Sequence, residues 1–304
     1  MDNVERRAKD LLAQMTLTEK VGQTVQYGRC EEPELKLVAE GKIGSLLNVH
    51  GPKKINELQR LAVEETRLGI PLLIGDDVIH GFRTIFPIPL GEAASWDPEG
   101  MEKNARIAAV EAAAQGVRWT FAPMVDITRD PRWGRIAEST GEDVYLSSLA
   151  AAAKVRGFQS PNEDGYPTVA ACVKHFAGYG WIEGGRDYDT TDMSERTLRE
   201  TVLPPFYHGI QAGALSVMSA FSELNGVPAS GSRYLLRDIL KGEWGFDGMV
   251  VSDWESIEEL IYHGYAEDRK DSALKGLDAG VDMDMHAGVY LDHLEALIQD
   301  NPEL

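Results

Sequence analysis

Gly245, Phe246, Asp247, Gly248, Met249, Val250, Val251, Ser252, Asp253, Trp254, Glu255, Ser256 and Ile257 form the stretch from which the rest of the chain is read. A glycine-containing turn leads into Met249, Val250 and Val251, and this apolar run stops abruptly at Ser252, Asp253, Trp254 and Glu255. Such a run reads as a buried parallel strand that ends in a carboxylate. In an α/β barrel the carboxyl ends of the strands are where chemistry gathers, so an acid placed there beside a large aromatic is a candidate nucleophile or general base. The competing reading makes Ser252 or Asp253 the cap of a helix from Glu255 to Tyr262. Other strands must decide.

Seven further segments read as strands: Val21 to Tyr27, Ile43 to Asn48, Pro71 to Gly75, Trp119 to Val125, Thr168 to Lys174, Leu215 to Phe221 and Val281 to Met285. With Met249 to Ser252 they make eight, the number a closed parallel barrel wants. Helical patterns alternate with them. Residues 4 to 15 carry Val4, Ala8, Leu11, Leu12 and Met15 at helical spacing, and Thr16 to Glu19 reads as a capping box. Asp97 and Pro98 open a helix that Gly116 ends. Asp192 with Glu195 is expected to cap a helix through Leu203, with Pro204 and Pro205 breaking or kinking it. Residues 289 to 299 form an amphipathic helix. The expectation is one α/β domain over 1–304, a (β/α)8 TIM barrel, with a doubly wound open sheet as the alternative.

Composition narrows the function. The 304 residues are 43% hydrophobic and 26% charged, which suits one large globular unit. A formal charge of −19 argues against a phosphate backbone or an anionic membrane as partner, since either needs clustered Lys and Arg. Cys30 and Cys172 lie far apart, so free thiols are expected rather than a disulfide or a thiolate metal site. A metal centre is the competing chemistry, but His80 with Asp76 and Asp77, or His175 with Asp187, lacks the usual ligand spacing. No cofactor fingerprint is present. The opening residues lack an apolar signal core and no run approaches the roughly 18 residues of a membrane span. The chain as written is therefore expected to be cytoplasmic, or periplasmic or secreted if a leader has been trimmed.

Polar residues collect where strands stop. Asp76, Asp77 and His80 follow the third, and Asp126 the fourth, before Arg129 to Arg135 and then Glu138, Glu142 and Asp143. Lys174 and His175 end the fifth, Arg186 and Asp187 follow its loop, Asp253 ends the seventh, and Asp282, Asp284 and His286 cluster at the eighth. Each alone is more readily a turn residue, surface pair or satisfied histidine. Together, with Trp133, Trp181 and Trp254 among them, they suggest a sugar pocket, in which charged groups bind hydroxyls and aromatic faces stack on the ring.

From about Leu11 onward the chain resembles the N-terminal (β/α)8 domain of glycoside hydrolase family 3. The likeness is carried by Ile70 to Gly81, Thr84 to Pro98, Arg129 to Glu142, Lys174 to Asp192, Val217 to Gly226 and Val250 to Trp254. It implies that Asp253 is the nucleophile of a retaining β-glycosidase, and that Asp77, Arg135, Lys174, His175 and Arg186 bind the first sugar, with Met218 and Trp254 completing the subsite. It also implies a cis Lys174–His175 peptide. Lys174 and Arg135 would then hold the Asp253 pKa down.

In the β-glucosidase branch the general acid comes from a following α/β sandwich domain, which these residues do not include. The loop Ala177 to Tyr188 has no Asp-x-His dyad, which places the chain with that branch rather than the β-N-acetylhexosaminidases. Phe221 stands where many relatives have Tyr. The expected function is thus a β-glucosidase-type barrel that lacks its own acid, acting on a β-linked oligosaccharide or aryl β-glucoside, with a sandwich domain in a longer parent chain. Glu183, Glu223 or Glu255 would be the suspects if an acid lies within. The alternatives are a β-xylosidase, a β-N-acetylglucosaminidase or a non-catalytic sugar-binding barrel.

Overall fold

The computed structural model describes residues 3–304. Met1 and Asp2, the start of the stretch read above for a signal core, lie outside the described residues. Eight strands form one parallel sheet: β1 (Val25–Tyr27), β2 (Ser45–Leu47), β3 (Leu73–Asp76), β4 (Trp119–Thr120), β5 (Ala170–Phe176), β6 (Ser216–Ser219), β7 (Met249–Val251) and β8 (Asp284–Met285). Hydrogen-bonded neighbours run β8, β1, β2, β3, β4, β5, β6, β7. The seam between β7 and β8 is joined by a parallel bridge from Val251 to Met283. An open sheet would leave two edges unpaired, so the barrel reading holds.

Each expected strand exists, and most are shorter than the apolar run that announced them. Val21 belongs to the helix Leu17–Gln23, whose capping box on Thr16 and Glu19 is formed. β4 ends at Thr120, and around Pro123, which has no N–H to donate, the pairing with β5 continues only as a bridge between Met124 and Lys174. The period-2 alternation of strands explains the layering. Leu47, Trp119, Phe121, Cys172, Met218, Val251 and Met285 fill the barrel interior, whereas Leu46, Ile74, Val173, Val217 and Val250 face the helices. Gly75 is small where it must be, because a Cβ there would lie 2.9 Å from the Phe121 ring.

Asp97 caps the helix Pro98–Ala114 by accepting from the Gly100 N–H at 3.0 Å. The Asp192 cap is a correction: Ser194 accepts from the Thr197 N–H instead. Pro204 and Pro205 sit at the start of Leu203–Gln211, behind a π-turn over Leu198–Val202. The helix expected from Glu255 to Tyr262 is also corrected, since only the short 3-10 turn Glu258–Leu260 forms there. Cys30 and Cys172 are free. Among the described residues no helix is long and apolar enough to cross a membrane.

Candidate active site

Alternation along β7 puts Val251 inside, Ser252 outside and Asp253 inside again, at the carboxyl end of the barrel. Ser252 Oγ accepts from the Met285 N–H at 2.8 Å, tying β7 to β8. Asp253 does not cap a helix. Its Oδ1 accepts from the adjacent Trp254 N–H at 2.7 Å, and its Oδ2 lies 3.4 Å from His175 Nε2.

The opposite wall comes from β3, β4 and β5. Lys174 Nζ donates to Asp77 Oδ1 at 2.7 Å. His175 is fully buried, and Asp126 Oδ2 receives its backbone N–H at 3.0 Å and faces its Nδ1 at 2.8 Å. The Lys174–His175 peptide is cis, as the resemblance implies. Arg135 is held by Glu138 through two bonds, at 2.6 and 3.1 Å, and its guanidinium lies over the Tyr179 ring at 5.6 Å. Tyr179 packs edge-on against His175 and donates to Asp187 Oδ1 at 2.5 Å, and Trp133 Nε1 donates to the same oxygen at 2.8 Å. A carboxylate, an ammonium, a guanidinium and an imidazole from remote parts of the chain thus share one rim.

Burial sets the electrostatics. Desolvation pushes the Asp253 carboxyl up to about 6, against the pull of Lys174 and Arg135. Those cations do pull the carboxyl down, as expected, but the loss of water outweighs them and the net direction is upward; at neutral pH the group is still largely ionised. Desolvation drives His175 well below the usual imidazole range, with Arg135 and Lys174 adding to the effect, so its ring is neutral. Neither His175 Nε2 nor Asp253 Oδ2 has a hydrogen-bond partner. Burial raises Asp126 to about 7.

Not every expected residue joins. Arg186 points outward with 73% of its side chain exposed and pairs with Asp189 at 2.9 Å, while its neighbour Asp187 turns in. Trp133 is buried and offers no stacking face. Trp181 carries the Arg129 guanidinium over its ring at 4.4 Å. Met218 is a core residue of the barrel interior, against which Trp254 also packs. His80 Nδ1 bonds the Phe86 carbonyl at 2.9 Å, the satisfied histidine of the dull reading. Asp282 pairs with Lys241, and Asp284 is buried, receiving the Tyr290 N–H. Phe221 is buried against Tyr179 and Tyr188.

The sequence reading missed the partner of one acid and the burial of another. Asp126 follows a strand end visibly, yet nothing in sequence pairs it with His175, 49 positions away. Glu259 lies in a helix-like turn where an acid reads as solvated. Its Oε2 is buried without a partner, and burial, with Asp253 and Glu255 adding, raises it to about 7.

Several known proteins resemble the chain. It is 42% identical over 294 residues to the periplasmic beta-glucosidase of Salmonella typhimurium, which covers 95% of this chain and 38% of that protein. It is 35% identical to the lysosomal beta glucosidase of Dictyostelium discoideum, over 91% of this chain and 38% of that one, and 40% identical to a beta-xylosidase of Formosa agariphila, over 78% and 35%. The chain therefore spans well under half the length of these relatives. The beta-glucosidase of Listeria innocua, solved in complex with isofagomine, superposes with a TM-score of 0.92 at 40% identity, covering 100% of this chain and 44% of that one. The profile described as the glycosyl hydrolase family 3 N terminal domain matches residues 16–301, and the chain belongs to that family.

Proposed function

We propose that this barrel carries the nucleophile and first sugar subsite of a retaining β-glycosidase acting on terminal β-D-glucosyl residues. The observation that carries the reading is the Asp253 carboxylate 3.4 Å from His175 Nε2, inside a rim that also presents Lys174, Asp77 and Arg135. Asp253 attacks the anomeric carbon, and the C1–oxygen bond to the leaving group breaks as that oxygen takes a proton. Water then adds to C1 and frees the Asp253 carboxylate. Lys174 and Asp77 present a donor and an acceptor to adjacent sugar hydroxyls, and His175, oriented by Asp126, presents Nε2. Trp254, whose N–H Asp253 Oδ1 accepts, borders the subsite. Glucose as the sugar draws on the names of the relatives, several of them beta-glucosidases, and on the Listeria protein having been solved with glucose.

The test is covalent capture. A 2-deoxy-2-fluoroglucoside with a good leaving group should add one sugar mass to the protein, on the peptide containing Asp253, and Asp253→Asn should take no label. Binding without an adduct would favour a non-catalytic sugar barrel, and faster reaction of a xyloside or N-acetylglucosaminide would move the specificity.

The proton donor is the other half of the mechanism. In the reading we favour it comes from a segment outside this barrel, as the greater length of the relatives allows. A second reading rests on Glu259, whose half-buried carboxyl, raised to about 7, feels the charge of Asp253. Under the first, Glu259→Gln leaves hydrolysis unchanged for every leaving group. Under the second it slows poor leaving groups by roughly 10²- to 10⁴-fold and spares nitrophenol.

A further inference from the structure

Trp254 is clamped from two other strands. His286, just after β8, stacks on its indole with ring centroids 3.9 Å apart and planes 30° from parallel. Gly28, just after β1, lies so close to the indole that a Cβ would stand 2.1 Å from its Cζ3 atom. The same glycine donates its N–H to His286 Nδ1 at 3.1 Å. Backbone bonds lock the frame, with Glu255 N–H on the Met285 carbonyl at 2.9 Å and His286 N–H on the Gln26 carbonyl at 2.8 Å. His286 itself sits at φ +72°, a left-handed conformation that His, like Asn and Asp, adopts more readily than other non-glycine residues.

The bond from Gly28 fixes the tautomer. A nitrogen that accepts an N–H carries no proton, so the neutral ring bears its hydrogen on Nε2. Protonation would set an N–H of the imidazolium against the Gly28 N–H, and that bond cannot survive the change. We propose that His286 is a positioning residue: in its neutral form it ties β8 to β1 and fixes the Trp254 indole beside Asp253, and its protonation releases the indole.

Burial lowers the His286 pKa, opposed by Glu255 from the loop after β7 and Glu34 from the helix Glu32–Ala39, and assisted by Arg29 after β1. Tyr27 meets the ring edge-on at 5.7 Å and is itself pushed up by burial, so it stays neutral. A folded value below the unfolded one means the clamp is intact above the unfolded pKa and is lost as pH falls through the folded value. The functional consequence rests on the reading of Asp253 as the sugar site, but the clamp does not.

The experiment is spectroscopic and needs no turnover. The emission of wild-type chain minus that of Trp254→Phe should move to longer wavelength on acidification, with a midpoint below about 6.5, the ordinary histidine value. In the wild type, NMR of the His286 ring should titrate with the same midpoint. His286→Asn, which tolerates the left-handed backbone, should show the longer-wavelength emission at neutral pH and no midpoint. His286→Phe, which stacks without a proton, should keep the shorter wavelength at every pH. A His286 midpoint at or above about 6.5, or the same emission step in both variants, overturns the proposal. Failure of the Asp253 labelling would leave this outcome untouched.

Discussion

The two walls of the site treat their polar groups differently. On the β3, β4 and β5 side each catching group is anchored by a partner side chain, Lys174 by Asp77, His175 through Nδ1 by Asp126, Arg135 by Glu138, and Trp133 and Tyr179 by Asp187, while His175 Nε2 and Asp126 Oδ1 stay open. On the β7 side, Asp253 and Glu259 each keep a buried oxygen without a partner, and both are pushed up into the range of about 6 to 7. A satisfied buried group is held still and can position a ligand. An unsatisfied one keeps its capacity for a substrate at a cost to stability. The first wall thus reads as a sugar cradle and the second as the place of bond making, and four measurements press on that contrast.

The largest effect is expected at Asp126, in the satisfied wall. Asp126→Ala strands two buried donors of His175, and at 1–3 kcal/mol for each orphaned group the chain should lose about 4 kcal/mol, read from its urea midpoint. A loss under about 1 kcal/mol would mean that the two walls are not distinct. Next comes the charge state of Asp253. Covalent capture should fall to half near pH 6 as the carboxylate protonates, and Lys174→Met should move that limb to higher pH by removing the largest favourable charge. An unmoved limb would divorce Lys174 from the nucleophile.

A smaller effect is expected from Glu259→Gln. The folded carboxyl sits at about 7 and the unfolded one near its ordinary value, so the unfolded chain sheds its proton first as pH rises from about 4 to 7. The wild type therefore loses stability over that window. The Gln variant should melt higher than wild type at pH 8, and the difference should vanish toward pH 4. Melting points that differ equally at both pH values would place the cost elsewhere. The smallest effect belongs to Arg186→Ala. Among the described residues this exposed side chain pairs with Asp189, three positions on, so stability should change by less than about 0.5 kcal/mol and capture should be unaffected. A slowed capture would restore Arg186 to the subsite.

The amino-acid sequence by itself determined the barrel and the position of Asp253. The eight apolar runs and the polar residues ending them are local patterns, and strand alternation carries Asp253 inward once Val251 faces the interior. The segments resembling the family also marked Lys174 and His175, which the structure brings to the same rim. What tertiary structure alone decided is partnership and burial. Nothing within a few positions of Asp126, Asp187, Glu259 or His286 tells that the first meets His175, that the second rather than Arg186 turns inward, that the third is buried beside another acid, or that the fourth lies flat on Trp254. The net direction at Asp253 was out of reach of the sequence for the same reason. A sequence displays the charges that will stand near a carboxylate, but the larger effect here is the loss of water around it, and that exists only after the chain has closed over the site.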